Sequence, residues 1–248
     1  MDFSPSPFAV VKTTAHLLAR NIRALLLIAL PATLLTRHII LIRQVWPDVA
    51  LRFAYPLAAS SLLVLLTVSF AVIVSYRLML DTVERIHRPF SAVVTESAGM
   101  ALRRCWFVVP ALALSGWLVQ RSFFGATVIT YLLCFFLPAF GADRQPLRAS
   151  FRAALVVARR HSPAILINTV LLVGMQVLIM QLRIYGNRMA FTAFPGHAVA
   201  LTLADCAVSA LLLTVVWAVS VALYARLRYG PDTRRNDVNA AQAAEVFE

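Results

Sequence analysis

Apolar residues along this chain gather into six blocks separated by shorter polar segments rich in arginine. The blocks are Ala24–Leu41, Ala54–Leu80, Trp106–Leu118, Phe123–Phe140, Pro163–Gln181 and Ala198–Tyr224. A helix crosses the hydrocarbon core of a bilayer in about 17–25 residues, and most of the blocks are that long. The expected fold is all-α: a polytopic membrane protein of six transmembrane helices arranged as three hairpins. Only Gln120, Arg121 and Ser122 separate the short third block from the fourth, so these two form the tightest hairpin.

A second pattern precedes the odd-numbered blocks. Pro7-Phe8, Pro89-Phe90 and Pro146-Leu147 are followed at Arg20, Arg103 and Arg159 by basic clusters, at separations of 13, 14 and 13 residues. Proline suits the first turn of a helix, where its missing N–H has no partner to lose. Each segment therefore reads as a three-turn interfacial helix that ends where the next span begins. The third is the most clearly amphipathic. At about 100° per residue, Arg148, Arg152 and Arg159 fall within roughly 40° of one another, with Leu147, Phe151, Ala154 and Ala158 on another face. Such a helix suits the headgroup layer, apolar side down and arginines toward phosphate. The pattern divides the single domain, residues 1–230, into repeats at 7–80, 89–140 and 146–228, followed by a polar tail at 231–248.

Composition agrees with the membrane reading. Of 248 residues, 60% are hydrophobic and 14% charged, with a pI near 10.9 and a mean hydropathy of +0.78. Soluble domains hold about 45–50% apolar and about 25% charged residues. The net charge of +12 is spread between apolar blocks rather than gathered on a soluble module. It points to anionic lipid headgroups as partners, and away from nucleic acid. All but one of the 23 basic residues are arginine, a bias in keeping with a GC-rich bacterial genome.

The same charges predict orientation. Lys12, Arg20 and Arg23 precede the first span; Arg77, Arg85, Arg88, Arg103 and Arg104 follow the second. Arg144, Arg148, Arg152, Arg159 and Arg160 follow the fourth, and Arg226, Arg228, Arg234 and Arg235 follow the sixth. That side carries 17 basic residues; the other carries six, Arg37, Arg43, Arg52, Arg121, Arg183 and Arg188. Cytoplasmic loops hold the Lys/Arg excess, so both termini are expected in the cytoplasm. A cleavable signal peptide is not expected, because the first apolar run starts only at Ala24 and contains Pro31.

Candidate chemistry is sparse. The chain lacks the phosphate-loop, dinucleotide, zinc-protease and nucleophile-elbow motifs. Cys105, Cys134 and Cys206 have no metal or disulfide spacing. His16, His38, His87, His161 and His197 form no ligand pair, and no cofactor is expected. Glu96-Ser97-Ala98 before Pro110 loosely resembles the coupling loop of ABC permeases, but the glycine and proline spacing is wrong.

Polar groups inside spans are the default functional candidates, because stranding them in hydrocarbon is costly. Asp205 is the only acid well within an expected span, and Asn168 and Gln176 lie eight residues apart on one face of the fifth. These three either line a polar cavity between the last two spans or bond neighbouring helices, with Asp205 near the outer interface. Arg103, Arg104, Arg148, Arg152, Arg159 and Arg160 are the expected headgroup-facing residues. Pro31, Pro110 and Pro138 are expected to kink their spans.

The stretch PAFGADRQPLRASFRAALVVARRHSPAILINTVLL, Pro138–Leu172, resembles the recurring element of a bacterial six-helix inner-membrane domain. That element ends a span with proline, runs an amphipathic helix and turns through a basic/aromatic corner into the next span. Ser220–Asp232, SVALYARLRYGPD, also resembles that domain, which occurs alone in proteins of the YciC type and fused to glycerophosphoryl diester phosphodiesterases. The corner here reads His161-Ser162-Pro163 where the family carries an aromatic. The phosphodiesterase domain has no counterpart in the chain, so the resemblance implies a membrane domain and no catalytic residues. The expected function is a non-enzymatic integral protein of a bacterial inner membrane. It serves as scaffold or accessory subunit of a membrane complex, with a protein partner or copies of itself. The alternative is a transporter or handler of a lipid or small amphipathic molecule.

Overall fold

The computed structural model describes residues 7–45, 54–119, 138 and 147–228. Five long helices account for nearly all of them: α1 (Pro7–Val45), α2 (Ala54–Glu84), α3 (Phe90–Val119), α4 (Leu147–Ala193) and α5 (Ala198–Arg228), with a 3-10 turn at Pro195–His197. The described residues contain no strand. Among the described residues, three stretches are long and apolar enough to cross a membrane: Phe8–Arg37 in α1, Val64–Glu84 in α2 and Ala198–Arg228 in α5. The expected third and fifth spans fall within α3 and α4, and the apolar run of the third is shorter than the roughly 17 residues of a crossing. The expected fourth span, apart from Pro138, and the 231–248 tail lie outside the described residues.

The three proline-led segments begin helices, at Pro7, at Phe90 after Pro89 and at Leu147 after Pro146. The first two do not stop at their basic clusters. A single buried stripe in α1, Val10, Thr14, Leu17, Asn21, Leu25, Ala29 and Ala32, advances by three or four residues throughout. It crosses the expected boundary near Arg20 without losing phase. No glycine or proline interrupts residues 8–30, so nothing in the sequence makes the chain turn there. Likewise Val93 and Ser97 of the second segment are buried, and that part of α3 packs on α2.

The third segment does break from the span after it. His161 has φ −116° and ψ 21°, outside helical values, two residues before Pro163. Pro163 has no N–H for the Arg159 carbonyl, and its ring crowds that carbonyl; the helix bends there. Before the bend, Ala154 and Ala158 are buried while Arg152 and Arg159 are exposed. Helices α1 and α3 run on through Pro31 and Pro110.

Helix α2 ends in a left-handed cap. Ile86 N–H donates to the Asp81 carbonyl at 2.8 Å and Arg85 N–H to Thr82 at 3.4 Å, the paired bonds of a Schellman motif. The residue in the left-handed position is Arg85, with φ 59°, where glycine is the usual occupant.

The tightest packing is α1 against α5, with α2 wedged against both and α3 against α2. Both helices bury alanines (Ala29 and Ala32 of α1; Ala210, Ala218 and Ala222 of α5), and small side chains let helix backbones approach closely. The pair is antiparallel. Arg226 Nε donates to Thr13 Oγ1 at 2.7 Å at one end, and Thr33 Oγ1 to the Cys206 carbonyl at 3.3 Å toward the other. Each helix advances 20 residues between these contacts, about 30 Å at 1.5 Å per residue. That is close to the thickness of a hydrocarbon core.

Helix α4 lies beside α5 and leaves Leu166, Ile167, Val170, Leu171, Val177, Leu178, Leu182 and Ile184 exposed. So extended an apolar surface is unusual for a protein in water and ordinary for one in lipid.

Candidate functional site

Two polar clusters sit at opposite ends of the apolar length of the bundle. The first is built around Asp205, in the second turn of α5. Its Oδ2 lies 3.3 Å from Arg37 Nη2 of α1, and its Oδ1 accepts a hydrogen bond from Asn187 Nδ2 of α4 at 2.9 Å. Asp205 is 8% exposed and Arg37 36%. One carboxylate thus ties three helices together near the end of the apolar stretch. Ser209, one turn on, donates back to the Asp205 carbonyl at 2.5 Å. A cleft of about 540 Å³ opens beside this cluster, lined by Ala32, Thr33, Thr36, Arg37, Val68, Ser209, Leu212, Leu213 and Val216.

Of the three polar residues singled out within spans, Asp205 makes these contacts and Asn168 is buried; the Gln176 side chain lies outside the described residues. The residues joined to Asp205 are Arg37 and Asn187, neither of which the intramembrane polar pattern selects. A signal for Arg37 does exist in the sequence. It stands toward the C-terminal end of the first apolar block and Asp205 toward the N-terminal end of the last, so in an antiparallel pair the opposite charges share one depth.

The second cluster sits at the other end, where α2 turns into α3. Arg77 is fully buried, with Nη2 2.7 Å from Asp81 Oδ1 one helical turn on and 3.6 Å from Glu84 Oε2. Arg88, beyond the left-handed cap, donates from Nε to Asp81 Oδ2 at 3.0 Å, and its terminal nitrogens pair with Asp81 and Glu96. Burial opposes the Arg88 charge, but hydrogen bonds to Glu96 and Asp81 and their negative charges outweigh it, raising the guanidinium pKa. The cap aims the chain so that Arg88 returns over Asp81 and reaches forward to the first turns of α3.

Asn21 of α1 joins the same end, its Nδ2 donating to Thr82 Oγ1 at 3.1 Å. Between these elements lies a cleft of about 650 Å³, lined by Arg20, Asn21, Leu78, Asp81, Thr82, Ile86, His87, Arg88, Pro89 and Val93. Sequence reasoning counts Arg77 and Arg88 only as loop charges. The i,i+4 spacing of Arg77 and Asp81 is the available signal that they act as a pair.

Among the residues expected to face headgroups, Arg103, Arg152 and Arg159 are exposed and Arg104 is half-buried. The side chains of Arg148 and Arg160 lie outside the described residues. Among the described residues no three His, Cys, Asp or Glu side chains come together as metal ligands.

No family model, curated protein or solved structure matches the chain.

Proposed function

We propose that the chain is a six-span integral protein of a bacterial inner membrane, both termini cytoplasmic, acting as a non-enzymatic scaffold or accessory subunit. The observation that carries this reading is the use to which the polar groups are put. Arg37, Asp205 and Asn187 bind one another across three helices, and Arg77, Asp81, Arg88 and Glu96 do so across α2 and α3. Bonds of this kind between helices hold them together. The 17-to-six asymmetry of basic residues supports the orientation, and the long exposed apolar face of α4 offers surface to lipid or to a second membrane protein. The test is native mass spectrometry of the protein released in a mild detergent. A stoichiometric protein partner or a fixed homo-oligomer is expected; a monomer carrying only a small molecule overturns the reading.

A second reading, a handler of lipid or small amphipathic molecules, is favoured by the cleft of about 540 Å³ beside Arg37. Its walls are largely apolar, and Arg37, shared with Asp205, supplies a guanidinium at its edge for the polar end of an amphiphile. It predicts a co-purifying molecule that is lost on Arg37→Gln; retention of that molecule counts against this site.

A further inference from the structure

At the α2–α3 turn, each acid of the cluster lies against an arginine, three acids sharing two. Asp81 is held by Arg77 on one oxygen and Arg88 on the other, Glu84 lies near Arg77, and Glu96 takes the free arm of Arg88. Asn21 and Thr82 satisfy each other across the cleft. Two cleft-lining groups stand apart from this arrangement. Arg20 of α1 and His87 of the turn are both exposed and belong to none of its bonds.

The cleft therefore has the Asp81–Arg88 ion pair on its floor, a cationic rim at Arg20 with a ring N–H at His87, and apolar walls from Leu78, Ile86 and Val93. Its position matters as much as its lining. It opens where Arg20 and Arg23 flank the apolar part of α1, at the same end as the Thr13–Arg226 contact.

We infer that the cleft between α1 and the α2–α3 turn binds the phosphate of an anionic phospholipid, with Arg20 and His87 as its donors. A guanidinium takes two phosphate oxygens at once, and the imidazole N–H gives a third hydrogen bond. Leu78, Ile86 and Val93 line the space for the glycerol and the first methylenes of a chain. The second arginine of the cleft, Arg88, is turned toward Asp81 and Glu96. It fixes the floor and does not compete for the ligand. The inference rests on this end of the bundle lying at a membrane face; it does not depend on the scaffold reading, because a transporter would offer the same cleft.

The test uses the full chain in nanodiscs of phosphatidylcholine doped with phosphatidylglycerol, with bound lipid counted by native mass spectrometry after ejection into detergent. Wild type is expected to retain phosphatidylglycerol over phosphatidylcholine. Arg20→Gln with His87→Gln should lower that retention about fivefold, the scale of one lost arginine–phosphate contact at a membrane surface. Arg20→Lys should recover part of it. Arg23→Gln, one turn further along α1 and outside the cleft, should leave it unchanged. Equal retention by the double variant overturns the site. Equal loss with Arg23→Gln overturns it as well, because it reduces the effect to general surface charge. Displacement of the lipid by millimolar inorganic phosphate overturns the assignment to a lipid and makes a free anion the ligand. Unchanged melting of the double variant in lipid-free detergent is expected; if it falls, Arg20→Lys decides, since a lysine that restores stability but not lipid retention also overturns the site.

Discussion

Arg37 of α1 and Asp205 of α5 meet at 3.3 Å although 168 positions separate them, and Asn187 of α4 completes the contact from the other side of the carboxylate. The acid is buried and the base is partly exposed. Removing the base therefore leaves a charge in an apolar setting, while removing the acid frees a side chain that reaches polar surroundings.

Arg37→Ala should accordingly cost more stability than Asp205→Asn, which keeps a hydrogen-bonding group beside Asn187. The expected difference is about 1–2 kcal/mol, discounted from a fully buried pair because Arg37 is partly solvated. Thermal unfolding in one detergent measures it. Additive effects in the double variant would show that the two side chains do not interact.

The buried Arg77–Asp81 pair should be less forgiving. Asp81→Ala leaves Arg77 without its nearest partner and Arg88 without one of two, and a broken buried pair costs about 3–5 kcal/mol. Replacing Arg77 by Met and Asp81 by Leu together should recover much of that loss, because the buried charges go with their desolvation cost. A double variant as unstable as Asp81→Ala alone would mean that Asp81 matters chiefly through Arg88.

Arg85→Gly should stabilise the protein. Arg85 occupies a left-handed conformation at φ 59° that costs an L-residue roughly 1–2 kcal/mol and glycine little. The flexible unfolded chain takes back part of the gain, so a rise of about 1 kcal/mol is expected, read as a higher melting temperature. A lower one would show that the Arg85 side chain makes a contact worth more than the strain.

Sidedness is checked by labelling. With the native cysteines replaced, Lys12→Cys and Arg226→Cys should react with a membrane-impermeant maleimide from one side of the membrane. Gly196→Cys should react from the other. Gly196 is exposed in the Pro195–His197 turn with open space around it, so the substitution is tolerated. Labelling of all three from one side would exclude the antiparallel crossing of α1 and α5.

Much of this architecture is legible in the sequence. The all-helical class and the apolar lengths of α1, α2 and α5 come from hydropathy, and the helix starts from Pro7, Pro89 and Pro146. The continuity of α1 through Arg20 is harder to read, because a basic cluster looks the same in a loop and on the exposed face of a longer helix. What distinguishes them is the unbroken stripe from Val10 to Ala32, which shows only when three- and four-residue steps are traced past the charges. Asp205 stands out as an acid in an apolar run, but its partners Arg37 and Asn187 come from distant parts of the chain, and pairing at that separation leaves no local pattern. Arg77 and Asp81 hide for another reason. At the edge of an apolar block, a charge is taken for the boundary itself, and its burial depends on α1, α3 and α5 closing around it.

The antiparallel pairing of α1 with α5 has a consequence for biogenesis. Its contacts join residues as far apart as Thr13 and Arg226, 213 positions along the chain, so α1 enters the bilayer long before its main partner is synthesised. Until then the face that α5 covers and the Arg37 guanidinium have only lipid, water or a chaperone for company, a state prone to misassembly. The arrival of Asp205 ends that exposure by cancelling one charge, and in doing so distinguishes a nascent chain still awaiting α5 from one whose bundle has closed.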